Sequence, residues 1–292
     1  MQANAASVQG LRPFLVRHQM VLFVLLTYLI SWASVIPAEG SVIPHGPMIA
    51  AFIVLAAVAG RRGVSALWQQ MTRWDVGWRW YLIAPTIIIA AHVCALLPGL
   101  ASGVRIANTA HLQSPAAYLA VIVPLVVAGG QWEEPGWLGY TLRRLQERFP
   151  HPPLRALLQA GTIRMVWHTP LLVYGWIPWF DYLFAIFALQ TCLTWLYNRT
   201  GRSVVIPMLC HLTSNVALAT IRPLFDSTDQ GQYWMRYTVA ISAIALGILL
   251  ATRGTLGLRP ARPPAASPDS PAPPRDHGRT FQPGRTAHQP PG

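Results

Sequence analysis

An all-α, polytopic membrane protein of about eight transmembrane helices is the fold this sequence predicts, on three observations. Of the 292 residues, 53% are hydrophobic and only 11% charged, too apolar a balance for an ordinary soluble domain. Eight stretches approach the ~20 mostly apolar residues that a spanning helix needs. The third observation is the placement of arginine. The chain has no lysine, so its net charge of +12 comes from arginine alone, and the arginines gather in alternate connecting segments.

The spans are expected at roughly 18–37, 44–60, 80–100, 116–142, 156–175, 180–197, 203–221 and 234–251. The first follows Arg12 and Arg17 and is longer than the ~7–15 residues of a signal-peptide apolar region, so it reads as a retained anchor. After the second, residues 61–79 alternate Val64, Leu67, Trp68, Met71 and Trp74 with Arg, Gln and Asp, the pattern of a helix lying along the membrane interface. Trp78, Trp80 and Tyr81 form an aromatic belt at the start of the third span. The fourth carries Glu133 and Glu134, and Pro135 is expected to kink or break it beside them by removing a backbone donor. The fifth and seventh carry His168 and His211. Residues 1–253 thus read as one helical membrane domain. Residues 254–292 are rich in Pro and Arg, with too little apolar surface to fold, and read as a disordered tail.

Threading eight spans with the N-terminus in the cytoplasm puts eighteen arginines in cytoplasmic segments. Only Arg105, Arg222 and Arg236 then lie outside, and Arg164 lies within a span. The positive-inside rule supports this threading, with both termini cytoplasmic. A basic chain can bind nucleic acid, but arginines confined to short loops between apolar runs point to topology, so lipid is the expected partner and nucleic acid is not. Cys94, Cys192 and Cys210 lie in apolar runs without metal-type spacing and are expected to be buried small hydrophobes.

Chemistry is expected where charge enters the membrane. A carboxylate at the bilayer centre costs at least ~2.5 kcal/mol, so Glu133 and Glu134 mark a functional site by default. Helical rise gives depths: Glu133 is ten residues before Arg143, ~15 Å in; His211 is eight after Ser203, ~12 Å; His168 is twelve after Ala156, ~18 Å. Three ionisable groups on three helices therefore share one layer, facing the cytoplasmic half, with the polar site expected between helices 4, 5 and 7. Asn215 follows His211 by four residues, on the same helical face. Glu133 and Glu134 point ~100° apart and are expected to do different jobs. His92 matches no such cluster and reads as an interhelical hydrogen bond.

Glu133-Glu134-Pro135-Gly136-Trp137-Leu138-Gly139-Tyr140, then Trp167-His168-Thr169-Pro170, then His211-Leu212-Thr213-Ser214-Asn215 resemble three signature blocks of the CPBP family. These are CAAX-processing and bacteriocin-processing, Abi-type intramembrane proteases, relatives of the type II CAAX prenyl endopeptidases, with the patterns EExxxR, FxxxH and HxxxN on successive helices. The similarity covers about Glu133 to Asn215, within a signature core of 116–221. It extends loosely upstream through His45-Gly46-Pro47 and Arg61 to Tyr81. Two positions depart from the pattern: Leu138 replaces the arginine of the first block and Arg164 the phenylalanine of the second. An intramembrane arginine should be paired, so Arg164 is expected to stand in as partner of Glu134.

The resemblance implies hydrolysis of a peptide bond in a membrane-associated peptide or protein. Glu133 would be the general base that activates water, His168 would help hold it, and His211 and Asn215 would stabilise the oxyanion. Two alternatives stay open. Glu133, His168 and His211 also make a zinc ligand set, although HExxH is absent. Loss of the usual arginine also leaves room for a non-catalytic relative, such as an immunity factor or membrane scaffold. A proton-coupled transporter fits less well, because charged residues are not spread over more helices and no repeat is found.

Overall fold

The computed structural model describes residues 2–149 and 153–258, whose regular structure is all helical, with no strand among the described residues. The helices are α1 (Gln2–Trp32), α2 (Gly46–Met71), α3 (Trp78–Ala101), α4 (Pro115–Ala128), α5 (Arg143–Arg148), α6 (Pro153–Trp167), α7 (Thr169–Val173), α8 (Ile186–Arg199), α9 (Val205–Ile221) and α10 (Ser227–Ala251). π-helical segments at Pro135–Leu142 and Asp181–Ala185 lead into α5 and α8.

Six stretches are long and apolar enough to cross a bilayer: Arg12–Trp32, Gly46–Met71, Trp78–Ala101, Pro115–Arg148, Val205–Leu224 and Ser227–Ala251. The other two expected spans are shorter and broken. α6 ends at Trp167 because Pro170 cannot supply a donor to the next turn. α8 is preceded by its π-helical segment. Both still pack inside the bundle, α6 against α8 and α8 against α10. The exposed surface is rich in large apolar side chains, among them Leu25, Leu29, Ile53, Leu82, Ile89, Val123, Val239 and Leu246, as a lipid-facing surface requires.

Local sequence sets the helix breaks. α2 turns sharply at Gly60, at φ 59°, a conformation open mainly to glycine. The amphipathic piece from Arg61 to Met71 leaves the apolar piece there, and Trp68, Trp74 and Trp78 stay exposed beside it. The fourth span breaks earlier than Pro135 predicts. α4 stops at Gly129, whose backbone is extended (φ −84°, ψ 173°), and a 3-10 turn over Gly130–Glu133 follows. Pro135 instead opens the π-helical segment, where its missing donor is harmless. Gln131 stabilises the break: its amide donates to the carbonyls of Leu125 and Val126, each at 2.8 Å, beside the Gly129 amide on the first and Trp132 Nε1 on the second.

The bundle has two chemically distinct ends. At one, Trp176 donates to the Glu39 carbonyl (2.7 Å), Ala107 to the Leu224 carbonyl (2.7 Å), and the His111 ring meets the Thr220 carbonyl (2.8 Å). These bonds tie together the connections α1–α2, α3–α4, α7–α8 and α9–α10. At the other end Arg73 donates to the Gly201 carbonyl (2.9 Å), Ser203 to the Arg73 carbonyl (2.8 Å) and Asn198 to the Leu256 carbonyl (3.0 Å). That second end carries Arg61, Arg62, Arg73, Arg79, Arg143, Arg144, Arg148, Arg155, Arg199, Arg202 and Arg253; the first has Arg105, Arg222 and Arg236.

Two smaller expectations change. Packing continues past residue 253, since Leu256 is fully buried; residues 259–292 of the expected tail lie outside the described residues. Cys192 and Cys210 are buried, but Cys94 is exposed on α3, where an apolar thiol can face lipid.

Candidate active site

Glu133 and Glu134 sit where the broken fourth span closes against α6 and α9. The break lets the backbone run close to its neighbours. A Cβ at Gly136 would collide with the Pro47 carbonyl at the start of α2. Between the acids lies Arg164 of α6, only 2% exposed. Its Nη2 bonds Glu134 Oε1, lies 3.1 Å from Glu133 Oε2 and is 3.3 Å from His211 Nδ1. Its Nη1 is 3.4 Å from Glu134 Oε2 and donates to Gln190 Oε1 of α8 at 3.0 Å. Gln190 in turn donates to Thr194 (3.2 Å). One guanidinium thus joins the fourth span, α6, α8 and α9, and its planar fork suits two carboxylates at once.

The two glutamates differ as their ~100° separation predicts. Glu134 is fully buried and receives Arg164 and the His211 ring, whose Nδ1 is 2.6 Å from Oε1. Glu133 turns toward a cavity. Its Oε2 accepts from Trp137 Nε1 (3.1 Å) and from Arg164. Its Oε1 and the His211 ring close against the backbone of Gly130. A Cβ placed on Gly130 would lie 2.6 Å from His211 Nε2 and 3.0 Å from Glu133 Oε1, so glycine permits this close approach.

His168 follows α6 at its C-terminal end, and its Nδ1 donates to the Arg164 carbonyl at 2.8 Å. A carbonyl can only accept, so this bond leaves Nε2 with the lone pair in the neutral ring. Glu133, His168, His211 and Asn215 all line one cavity of about 380 Å³, together with Gly130, Ser214, Trp167 and residues of the loops beyond. All five site residues of the three signature blocks are thus in one neighbourhood, four on the cavity and Glu134 behind it.

Glu133, Glu134 and His211 can bring one ligand atom each within 4.8 Å of one another. That trio differs from the zinc set expected from sequence, because His168 is outside it and Glu134 inside. Arg164 Nη2 is bonded to atoms of all three. A divalent cation there would meet a guanidinium already among its ligands, so the residues do not fit a zinc centre.

The depth estimate faces the site toward the arginine-rich half, yet the cavity opens the other way. Toward the arginine-rich end, Trp137, Tyr140, Phe23 and Leu67 fill the space and are at most 1% exposed. Trp137 packs edge-on against both Phe23 and Trp167. His92 is the interhelical bond expected of it: its Nδ1 meets the Tyr233 hydroxyl at 2.5 Å, and its ring stacks on Tyr237.

Comparison with known proteins bears on the same segment. Residues 114–217 match the profile of the Rce1-like type II CAAX prenyl endopeptidases. That is the protease family whose relatives the three blocks resemble, and the matched stretch contains every residue of the cluster just described. No curated protein and no solved structure matches the chain. A helical bundle whose residues 114–217 are similar to a protease family is therefore the frame for its chemistry.

Sequence reasoning missed several supporting groups. Gln131 and Gln190 lie in apolar runs, and the rule that flags a membrane-buried histidine applies equally to a glutamine. Trp137 had a signal only in its spacing, four residues after Glu133.

Proposed function

We propose that this protein is an intramembrane endopeptidase of the CAAX-processing class, hydrolysing a peptide bond of a membrane-associated peptide by a metal-free mechanism. The observation that carries this reading is the cavity of about 380 Å³ that Glu133, His168, His211 and Asn215 line together. A water there has a carboxylate to take its proton. Glu133 abstracts it, and the hydroxide oxygen attacks the scissile carbonyl carbon. His168 Nε2 helps orient the water through its lone pair. The oxyanion is met by His211 and by the Asn215 amide, one helical turn further along α9. Glu133 then passes its proton to the departing nitrogen, and the peptide bond breaks.

Glu134 and Arg164 act behind this layer. Glu134 accepts from His211 Nδ1, which fixes the orientation of the ring toward the oxyanion. Arg164 balances the two acids. It supplies the cation that the family pattern carries at the position of Leu138, which weighs against a non-catalytic reading based on that loss. In the membrane, the arginine distribution supports an arrangement with the arginine-rich end and both termini in the cytoplasm.

The test is Glu133→Gln, which keeps both the shape and an acceptor for Trp137 and Arg164. Cleavage of a confirmed substrate should fall at least ~100-fold, with thermal stability near that of the parent. Cleavage at the parent rate would remove Glu133 as the base. The metal-free step predicts unchanged activity after chelation; loss with a chelator and return with zinc would replace it.

A further inference from the structure

We propose that Arg62, Arg143 and Arg144 form a binding site for the phosphodiester headgroup of an anionic phospholipid. The site lies at the arginine-rich end of the bundle. It is independent of the peptidase reading and of which side of the membrane that end faces. The three arginines line one cavity of about 190 Å³ between α2 and the π-helical segment that leads into α5. The rest of its wall is apolar or already satisfied. Leu55, Gly63 and Leu67 of α2 face Gly139 and Tyr140. Gln70 accepts from the Tyr197 hydroxyl (2.6 Å) and donates to the Ala66 carbonyl (3.1 Å), and the Tyr140 hydroxyl donates to the Gln19 carbonyl (3.2 Å). The guanidiniums are therefore the groups left to hold a ligand.

Local sequence opens this cavity. The turn of α2 at Gly60 brings the piece from Arg61 to Met71 against the π-helical segment. Two glycines keep the space between them clear. A Cβ on Gly139 would lie 2.6 Å from Leu67 Cδ1, and one on Gly63 would lie 2.8 Å from the Ala59 Cβ. At ~30 Å³ per water, 190 Å³ is room for about six waters, which a phosphate group can displace.

Charge is unbalanced there. Glu147 accepts from Arg143 Nε at 2.9 Å and from Arg144 Nη1 at 3.4 Å, and lies 3.7 Å from Arg202 Nη1. Arg62 has no ion pair among the described residues, so four guanidiniums share one carboxylate. Asp75, the other acid among the described residues of that end, is exposed and outside the cavity. A guanidinium fork matches two phosphate oxygens. The surroundings make the anion a lipid. Trp68, Trp74 and Trp78 are exposed beside the same piece of α2, as at a membrane–water interface. Exposed Ile49 and Ile53 precede the bend, in a helix long and apolar enough to span the bilayer. Acyl chains can lie along that surface, whereas a free phosphate gains nothing from it.

Native mass spectrometry of the full chain in a neutral detergent tests this, with thermal unfolding in parallel. Dioleoyl phosphatidylglycerol, dioleoyl phosphatidylcholine and inorganic phosphate are titrated separately. The expected result is saturable retention of phosphatidylglycerol and a higher Tm in its presence, with no comparable effect of phosphatidylcholine. Each arginine removed should weaken binding about fivefold. Arg62→Gln should therefore cost about fivefold, and its combination with Arg143→Gln and Arg144→Gln about 100-fold. Arg62 is exposed and unpaired among the described residues, so Arg62→Gln stays informative even where the triple variant fails to fold. Arg199→Gln makes the same charge change at an exposed position of that end outside the cavity, and should leave binding unchanged. Equal retention of phosphatidylcholine, equal weakening by Arg199→Gln, or unaltered binding by Arg62→Gln overturns the proposal. Inorganic phosphate that raises Tm as much as phosphatidylglycerol overturns it too, in favour of a site for a free anion. Cleavage is not part of the readout, so this result and that of Glu133→Gln can fail separately.

Discussion

Replacing Arg164 with leucine removes one side chain and strands three partners. Its guanidinium is 2% exposed and donates to both carboxylates and to Gln190. Replacing a whole buried ion network by apolar groups can be neutral, but removing one partner leaves charge behind without its counter-ion, at a cost of ~3–5 kcal/mol. Here the stranded charge is two adjacent acids in a low-dielectric setting, which puts the expected loss at the upper end, ~5 kcal/mol. For a domain of this size, ~1 kcal/mol shifts Tm by about 2–4 °C, so Arg164→Leu should lower Tm by about 10–20 °C. The assay is thermal unfolding of detergent-solubilised protein, followed beside Glu134→Gln and the double variant. The double should lose less than the sum of the singles, because Glu134→Gln removes one of the stranded charges. Arg164→Leu combined with Leu138→Arg should recover part of the stability, since Leu138 is one turn from Glu134 along the same segment. A near-parental Tm for Arg164→Leu, or strict additivity in the cycle, would refute the view that Arg164 holds the acids.

Two further substitutions probe the ground around the acids. Gly130→Ala puts a methyl group 2.6 Å from His211 Nε2 and 3.0 Å from Glu133 Oε1, forcing both side chains to shift; activity should fall at least ~100-fold, with a smaller effect on unfolding, and a fully active Gly130→Ala would mean that this close approach is not needed. Gln131→Leu removes one donor from each of the Leu125 and Val126 carbonyls, which keep the Gly129 amide and Trp132 Nε1; losing the two bonds should cost about 1–3 kcal/mol together, and a Tm equal to the parent's would mean that the break in the fourth span is held by other contacts.

The parts of this site legible in the sequence were those with a large energetic signature. Carboxylates, histidines and an arginine inside apolar runs have few places to go in a membrane, so their presence implies partners, and the Arg164–Glu134 contact follows that logic. Helix breaks were less legible, because glycine permits a break without requiring one. Pro135 looked the stronger breaker, yet the chain breaks at Gly129, where Gln131 and Trp132 turn their side-chain donors back onto the last carbonyls of α4. The fifth and sixth spans were visible as apolar runs, but their hydropathy carried no sign of the π-helical turn before α8 or of the end of α6 at Trp167.

Residue counting gives a depth but no direction of opening, and the reason is physical. Counting residues from a helix end fixes how far a group lies along one axis, so Glu133, His168 and His211 fall together. It says nothing about which side of that layer is packed. That depends on bulky side chains from separate helices: Phe23 of α1, Leu67 of α2, and Trp137 and Tyr140 of the π-helical segment meet on the arginine-rich side. On the other side α7 is only five residues long and α8 starts late, so short helices and loops leave the volume unfilled. The same two breaks that interrupt the fifth and sixth spans therefore leave the cavity beside the acids unfilled.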